Sequence, residues 1–142
     1  MALIVQMAAA CHCDMVEEIT HQTIASVYPR YYPAGAVAFF QAHHSRERIL
    51  QDVEAGRVFL AMDGDAPVGT VTIHGNEMGR LFVLPRHQGR GAGRLLMQFA
   101  EERIFQTYDE VQLDASLPAS KARLSGNRIP YHRNRQWRLS LL

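Results

Sequence analysis

The segment Arg80 to Glu102, RLFVLPRHQGRGAGRLLMQFAEE, constrains this chain more than any other. Leu81, Phe82, Val83 and Leu84 form an apolar run of strand length, and Pro85 cannot continue a hydrogen-bonding ladder. Gln88-Gly89-Arg90-Gly91-Ala92-Gly93 follows as a glycine-rich turn. Leu95, Leu96, Phe99, Ala100 and Ile104 then recur at helical spacing. Strand, glycine turn and helix in this order put backbone N–H groups without intrahelical partners at a helix start. The helix dipole adds positive potential there, so the turn is an anion site. Glycine removes the Cβ that would hold a phosphate away from the main chain. Arg86, Arg90 and Arg94 add charge around the same point.

Two familiar phosphate loops do not fit. A Walker loop closes with Gly-Lys-Ser/Thr, and this turn has no such ending. The dinucleotide pattern G-x-G-x-x-G is not met by glycines at 89, 91 and 93, and the turn lies past mid-chain rather than in an early βαβ unit. A purely structural glycine connection would not need the strand and helix on either side. The segment resembles motif A of the GCN5-related N-acetyltransferases, Q/R-x-x-G-x-G/A after an apolar strand. Gln88, Gly91 and Gly93 stand at the motif positions.

The rest of the chain sets the frame. A length of 142 residues with 47% hydrophobic side chains predicts one domain with its own core. Without a run of eighteen apolar residues no membrane span is expected. MALIVQMAAACHCDMVEE reads as a first strand and not as a signal peptide, which gives a cytoplasmic expectation. Cys11 and Cys13 flank His12, but no second cysteine pair exists to complete a ligand set, so reduced thiols and no metal are expected. Charge is uneven. Residues 1–120 hold nine Arg against fourteen acids, a balance of −5. Residues 121–142 hold Lys121 and five Arg with no acid, a balance of +6, which closes on the whole-chain +1. A basic tail raises nucleic acid as a partner. Beyond Trp137 the tail has no aromatic-basic interleaving, so nucleic acid is not favoured.

Element by element, Leu3 to Met7 reads as a strand. Asp14 and Glu17 match a capping box opening a helix with Val16, Ile19, Thr20, Thr23 and Val27 on one face, ending by Pro29. The YPRYYP segment is a loop, Ala36 to His43 a short helix, and Ser45 caps another that carries Ile49, Leu50 and Val53 inward and stops at Gly56. Val58 to Met62, Pro67 to His74 and Glu77 to Leu84 form an antiparallel meander, turned at Asp63-Gly64 and Gly75-Asn76. Val111 to Ala115 is a fifth strand. The order is that of the GCN5-related fold, an α/β (α+β) class with a central mixed, mostly antiparallel sheet flanked by helices. The resemblance covers about residues 3–119 and extends to VYPRYYPAGAVAFF and ASLPA, which look like a bacterial subgroup of the family.

After Ser120 the pattern departs. KARLSGNRIPYHRNRQWRLSLL has neither the helical period nor the strand alternation that such a family member continues with. The C-terminal helix and strands are therefore expected to be missing or altered, dividing the chain into an acetyltransferase domain, 1–120, and an atypical basic tail, 121–142. Codons for the tail can be chosen so that the frame one base later spells a family-type continuation. A frameshift junction near Ser120 and a genuine divergent tail both remain open.

The resemblance implies acetyl transfer from acetyl-CoA, the co-substrate, to a primary amine by direct attack in a ternary complex. It places the pyrophosphate on Gln88, Gly89, Arg90, Gly91, Ala92, Gly93 and Arg94 and the pantetheine arm along Leu81, Phe82 and Val83, beside a bulge where the strand splays from the fifth. A main-chain N–H near Phe82 or Val83 would meet the thioester oxygen. Glu77 is the expected base, with His74 behind it, and His21, Tyr28, Tyr31 and Tyr32 are candidates for the acceptor pocket. Tyr131 is the one tyrosine after the fifth strand, and no acid is assigned. The expected partner is a small-molecule or peptide amine, a homodimer is left open, and the −5 balance favours a cationic acceptor such as a polyamine or amino sugar. The rival reading is an acyl-CoA-binding module without turnover.

Overall fold

The computed structural model describes residues 2–115 and 136–141. The elements run β1 (Leu3–Met7), α1 (Cys13–Val27), α2 (Ala34–His43), α3 (Arg46–Glu54), β2 (Val58–Asp63), β3 (Ala66–His74), β4 (Glu77–Val83), α4 (Ala92–Phe105), β5 (Glu110–Ala115) and β6 (Gln136–Leu141). The strands form one mixed sheet in the order β1-β2-β3-β4-β5-β6. β1 to β4 pair antiparallel, and the β4–β5 and β5–β6 pairs are parallel.

Alternation along the strands divides the core between two faces. Val58, Leu60 and Met62 of β2 join Val16, Ile19 and Ile24 of α1, Phe40 of α2 and Ile49 and Val53 of α3. Phe59 and Ala61 point the other way and join Leu96, Ala100 and Ile104 of α4. α1, α2 and α3 therefore cover one face and α4 the other. Side chains such as Ile24 and Leu96 are fully buried, each contributing about 1.5–3 kcal/mol of transfer free energy.

The expected helices and strands are present, with three differences. α1 opens at Cys13, one residue before the expected cap, and Asp14 and Glu17 both accept from the guanidinium of Arg46 instead of capping the helix. The ion pair to α3 takes the place of the cap, with Arg46 Nη1 donating a charge-assisted hydrogen bond to each carboxylate. The β2–β3 turn is Gly64-Asp65, because Asp63 already pairs with Ala66. The third difference is β6. QWRLSL alternates polar and apolar residues, a strand period inside a tail expected to have none. β6 pairs with β5 from Glu110↔Gln136 to Ala115↔Leu141 and so occupies a free sheet edge. Tyr131, the Ser120 junction and the rest of residues 116–135 lie outside the described residues.

Ser45 caps α3 as expected, accepting from the Arg48 N–H at 3.3 Å. Gly69 holds the sheet and α4 together by having no side chain. A Cβ there would lie 3.0 Å from both Leu96 Cδ1 and the Phe82 carbonyl oxygen. The carbonyl belongs to the β3–β4 ladder and cannot yield. Gly69→Ala is therefore expected to cost about 1–3 kcal/mol, read as a lower urea midpoint at unchanged slope. Gly35→Ala is the contrast. It sits in α2 with nothing within 4 Å of the added carbon and should raise stability by up to about 1 kcal/mol.

Candidate active site

The site begins with an irregularity in β4. Thr70 pairs with Phe82, yet Thr72 pairs with Gly79, so Arg80 and Leu81 stand opposite Val71 alone. This is a β-bulge, and Arg80 takes the left-handed conformation at φ 44°, which costs a non-glycine residue about 1–2 kcal/mol. The extra residue reverses the facing of the strand. Met78 packs on the α4 side, whereas Phe82 packs among α1, α2 and α3. Glu77, one residue before Met78, thereby shares a wall with Phe82 in spite of their odd spacing.

Buried polar contacts hold the bulge. The Arg80 side chain is 7% exposed. Its guanidinium donates to Asp52 Oδ2 at 3.0 Å, Thr72 Oγ1 at 3.2 Å and His44 Nδ1 at 3.3 Å. Burial pulls Arg80 below its ordinary value, and Asp52 opposes that shift. His44 is pushed down to about 3 by burial first and then by the Arg80 charge. It therefore stays neutral, and its Nδ1 lone pair is free to accept from Arg80. His21 Nε2 lies 2.8 Å from the His44 carbonyl oxygen and ties the loop after α2 back to α1.

Past Met78 the sheet opens. β4 and β5 pair only at Glu77↔Gln112 and Met78↔Leu113. The opening continues into a cleft of about 560 Å³ that takes in Glu77, Leu81 and Phe82 of β4, Leu113 of β5 and Tyr28. Leu84 N–H donates to the Val68 carbonyl at 2.9 Å, toward β3. Alternation then turns the Phe82 N–H toward β3 and the Val83 N–H toward the open side. Of the two N–H groups expected to face a thioester, Val83 is the one with that orientation. The Val83 carbonyl accepts from Gln88 Nε2 at 3.0 Å and Thr23 Oγ1 at 3.4 Å, so the Gln88 side chain ties the glycine turn to the strand end.

The turn itself is built for close approach. Gly89 (φ 80°) and Gly91 (φ 89°) are left-handed, and Gly91 is the N-cap of α4. The helix's first hydrogen bond runs from Leu95 N to Gly91 O at 3.0 Å, so the N–H groups of Ala92, Gly93 and Arg94 precede the ladder. Gln88, Gly89, Arg90, Gly91 and Arg94 are exposed, as is Arg86, while Ala92 is buried and seats the helix on the sheet.

The expected residues thus fall at two ends of one strand. Glu77 and the strand end at Val83 are six residues apart, at most about 20 Å, and the turn follows from Gln88. Leu81, Phe82 and Val83 lie between them. His74 reaches the cleft as well. Of the four acceptor-pocket candidates only Tyr28 lines it. Tyr32 packs on Phe40 with ring centroids 4.9 Å apart, Tyr31 faces solvent, and the His21 ring is engaged by His44. Cys11 is exposed and Cys13 buried, and the His12 ring accepts from the Ala9 N–H at 2.9 Å. Among the described residues no three His, Cys, Asp or Glu gather at metal-ligating spacing, and no helix is long and apolar enough to cross a membrane.

Sequence reasoning missed Arg80, Asp52 and His44. One signal was present for Arg80, because Gly79-Arg80 interrupts an apolar strand as bulges do. Nothing in the sequence paired it with Asp52, 28 positions upstream.

The geometry matches a known family. The family model described as Acetyltransferase (GNAT) domain matches residues 18–122, more than half of the chain, and the chain belongs to this family. Its fold is similar to that of a GCN5-related N-acetyltransferase from Rhodopseudomonas palustris, with TM-score 0.79 and 17% identity over 87% of this chain and 79% of the other. It is also similar to PaiA N-acetyltransferase from Thermoplasma acidophilum in complex with coenzyme A, with TM-score 0.63 and 15% identity over 75% of this chain and 74% of that one. A third is YncA of Salmonella typhimurium with its cofactor acetyl-CoA, at TM-score 0.50 and 16% identity over 75% of this chain and 65% of the other. No curated protein matches the chain.

His44 makes the site's stability depend on pH. Its folded value lies below the ordinary 6.5, so the unfolded chain takes up the proton first. Stability contributed by neutral His44 is present above pH 6.5 and lost as pH falls from there toward 3, by up to about 1.4 kcal/mol per pH unit. His43 is shifted in the same direction, chiefly by burial. His44→Gln retains an acceptor for Arg80 and cannot titrate. Urea midpoints measured between about pH 6.5 and 4 should fall less steeply for this variant than for the parent, and equal slopes would refute the assignment. Asp52→Ala, which strands the buried guanidinium, should cost about 3 kcal/mol at any of these pH values.

Proposed function

We propose that this GNAT domain transfers an acetyl group from acetyl-CoA to a primary amine by direct attack in a ternary complex. The observation that carries the reading is the opening between β4 and β5. It starts beside the glycine turn and ends at Glu77, so one strand links an anion site to a carboxylate.

In this reading the N–H groups of Ala92, Gly93 and Arg94, with the left-handed glycines at 89 and 91, hold the pyrophosphate. The pantetheine arm, which is amide-like, lies along Leu81, Phe82 and Val83 where β5 has withdrawn. The Val83 N–H, turned toward the open side, would meet the thioester oxygen. A donor aimed at the tetrahedral oxyanion contributes on the order of 3 kcal/mol.

An alkylammonium carries no lone pair, so its proton must leave before attack. Glu77 stands on the cleft wall to take it, directly or through one water. The amine nitrogen then bonds to the acyl carbon. The carbon–sulfur bond breaks, and its electron pair leaves on the coenzyme A thiolate. The nitrogen passes its remaining extra proton to that thiolate or to water, giving the amide. With a thiol pKa near 8.5 the thiolate departs without a dedicated acid. The rival reading, binding without turnover, is favoured by no particular contact.

Two variants separate the parts. Glu77→Gln should lower kcat by about 10²–10⁴-fold while leaving the acetyl-CoA Kd unchanged, measured by thiol release and isothermal titration. Gly91→Val replaces a residue at φ 89° and should weaken acetyl-CoA binding severely without unfolding the chain. Thiol release that survives Glu77→Gln removes Glu77 as base. Tight acetyl-CoA binding by Gly91→Val removes the turn as the pyrophosphate site.

A further inference from the structure

The cleft carries a charge opposite to that of the domain around it. Among the described residues its charged walls are Arg48, Arg57 and Arg80 against Asp52 and Glu77, a balance of +1 where residues 1–120 have −5. Asp52 is committed, because Arg80 reaches one of its oxygens at 3.0 Å and Arg57 the other at 3.5 Å. Among the described residues no carboxylate pairs with Arg48. Arg48 donates to His43 Nδ1 at 3.0 Å and to the His43 carbonyl at 3.4 Å. His43 is held below its ordinary value, by burial first and then by Arg48, and its ring accepts from Arg48 without supplying a negative charge. Arg57 is 39% exposed beyond its contact with Asp52.

From this we infer that the acceptor is a small amine that also carries an anionic group, a carboxylate or a phosphate, and that Arg48 with Arg57 binds that group. The inference rests on the acetyl-transfer reading and names the substrate class for the same cleft. The anion sits toward α3, and the amine points to Glu77 on the strand wall. A guanidinium without a carboxylate partner, next to a neutral histidine, is a docking point for an oxyanion because its fork matches two oxygens. A polyamine, which the overall charge of the domain favours, would bring a second cation against Arg48.

Matched pairs test this with coenzyme A present: 4-aminobutyrate against butylamine, 2-aminoethyl phosphate against ethylamine, and spermidine alone. Binding by isothermal titration should favour the anionic member of at least one pair by about tenfold, and the pair that responds tells carboxylate from phosphate. In Arg48→Gln the advantage should vanish, while affinity for coenzyme A, which also reports folding, stays the same. Spermidine or the plain amines binding as tightly as the anionic members would overturn the proposal. So would an advantage that survives Arg48→Gln, or a loss of coenzyme A affinity in that variant. Thiol release is read separately. Its absence while the anionic amines still bind overturns acetyl transfer and leaves the anion preference standing.

Discussion

The ion pair between Arg80 and Asp52 organises the site. It sits under a β-bulge, with the guanidinium 7% exposed and further held by Thr72 and His44. Taking both charges out of water costs several kcal/mol per ion, and their attraction offsets this only with good geometry and satisfied donors. Here the pair does more than stabilise. It joins α3, β3 and the loop after α2 to one residue in a left-handed conformation, and that residue shifts the facing of the strand beyond it. A neutral His44 is part of the arrangement, since a protonated ring could not accept from Arg80.

The bulge makes a single strand serve two purposes. Before it, Met78 packs toward α4 and keeps β4 against β5. After it, Phe82 packs toward α1 and α2, and β4 has parted from β5. The opening this leaves is polar on its backbone edge, with the Val83 N–H turned into it and the Val83 carbonyl tied to Gln88 and Thr23. Gly69 lets Leu96 and the Phe82 carbonyl approach on the other side, so α4 is seated with its N-terminal N–H groups at the same strand end.

Net charge over a domain says little about one cleft. Most of the acids that make residues 1–120 negative do not line the cleft: Asp14 and Glu17 pair with Arg46, and of the two carboxylates in the cleft wall Asp52 is taken by Arg80 and Arg57. Coulomb interactions between exposed charges fade within roughly 10 Å in physiological salt, so the local set around the cleft outweighs the sum. The cationic acceptor favoured by composition and the anionic group favoured by the cleft differ for this reason.

The sequence by itself determined the element order as far as β5, the glycine turn and its helix, the meander, the Ser45 cap and the family, because each rests on residues near one another in the chain. Periodicity, glycine and proline placement and short motifs are local signals. It also placed Glu77, Leu81, Phe82 and Val83 on one strand with the turn at its end. Only the tertiary structure decided which side chains share the cleft. His21, Tyr31 and Tyr32 looked as suitable as Tyr28, yet packing turned them elsewhere. The Arg80–Asp52–His44 contacts join β4 to α3 and the loop ahead of it, the choice of Val83 over Phe82 follows from strand pairing, and the β6 partner is set by a free sheet edge. Such contacts depend on where distant segments meet, and that is settled by burial and by the pairing of charged and polar groups across the whole core.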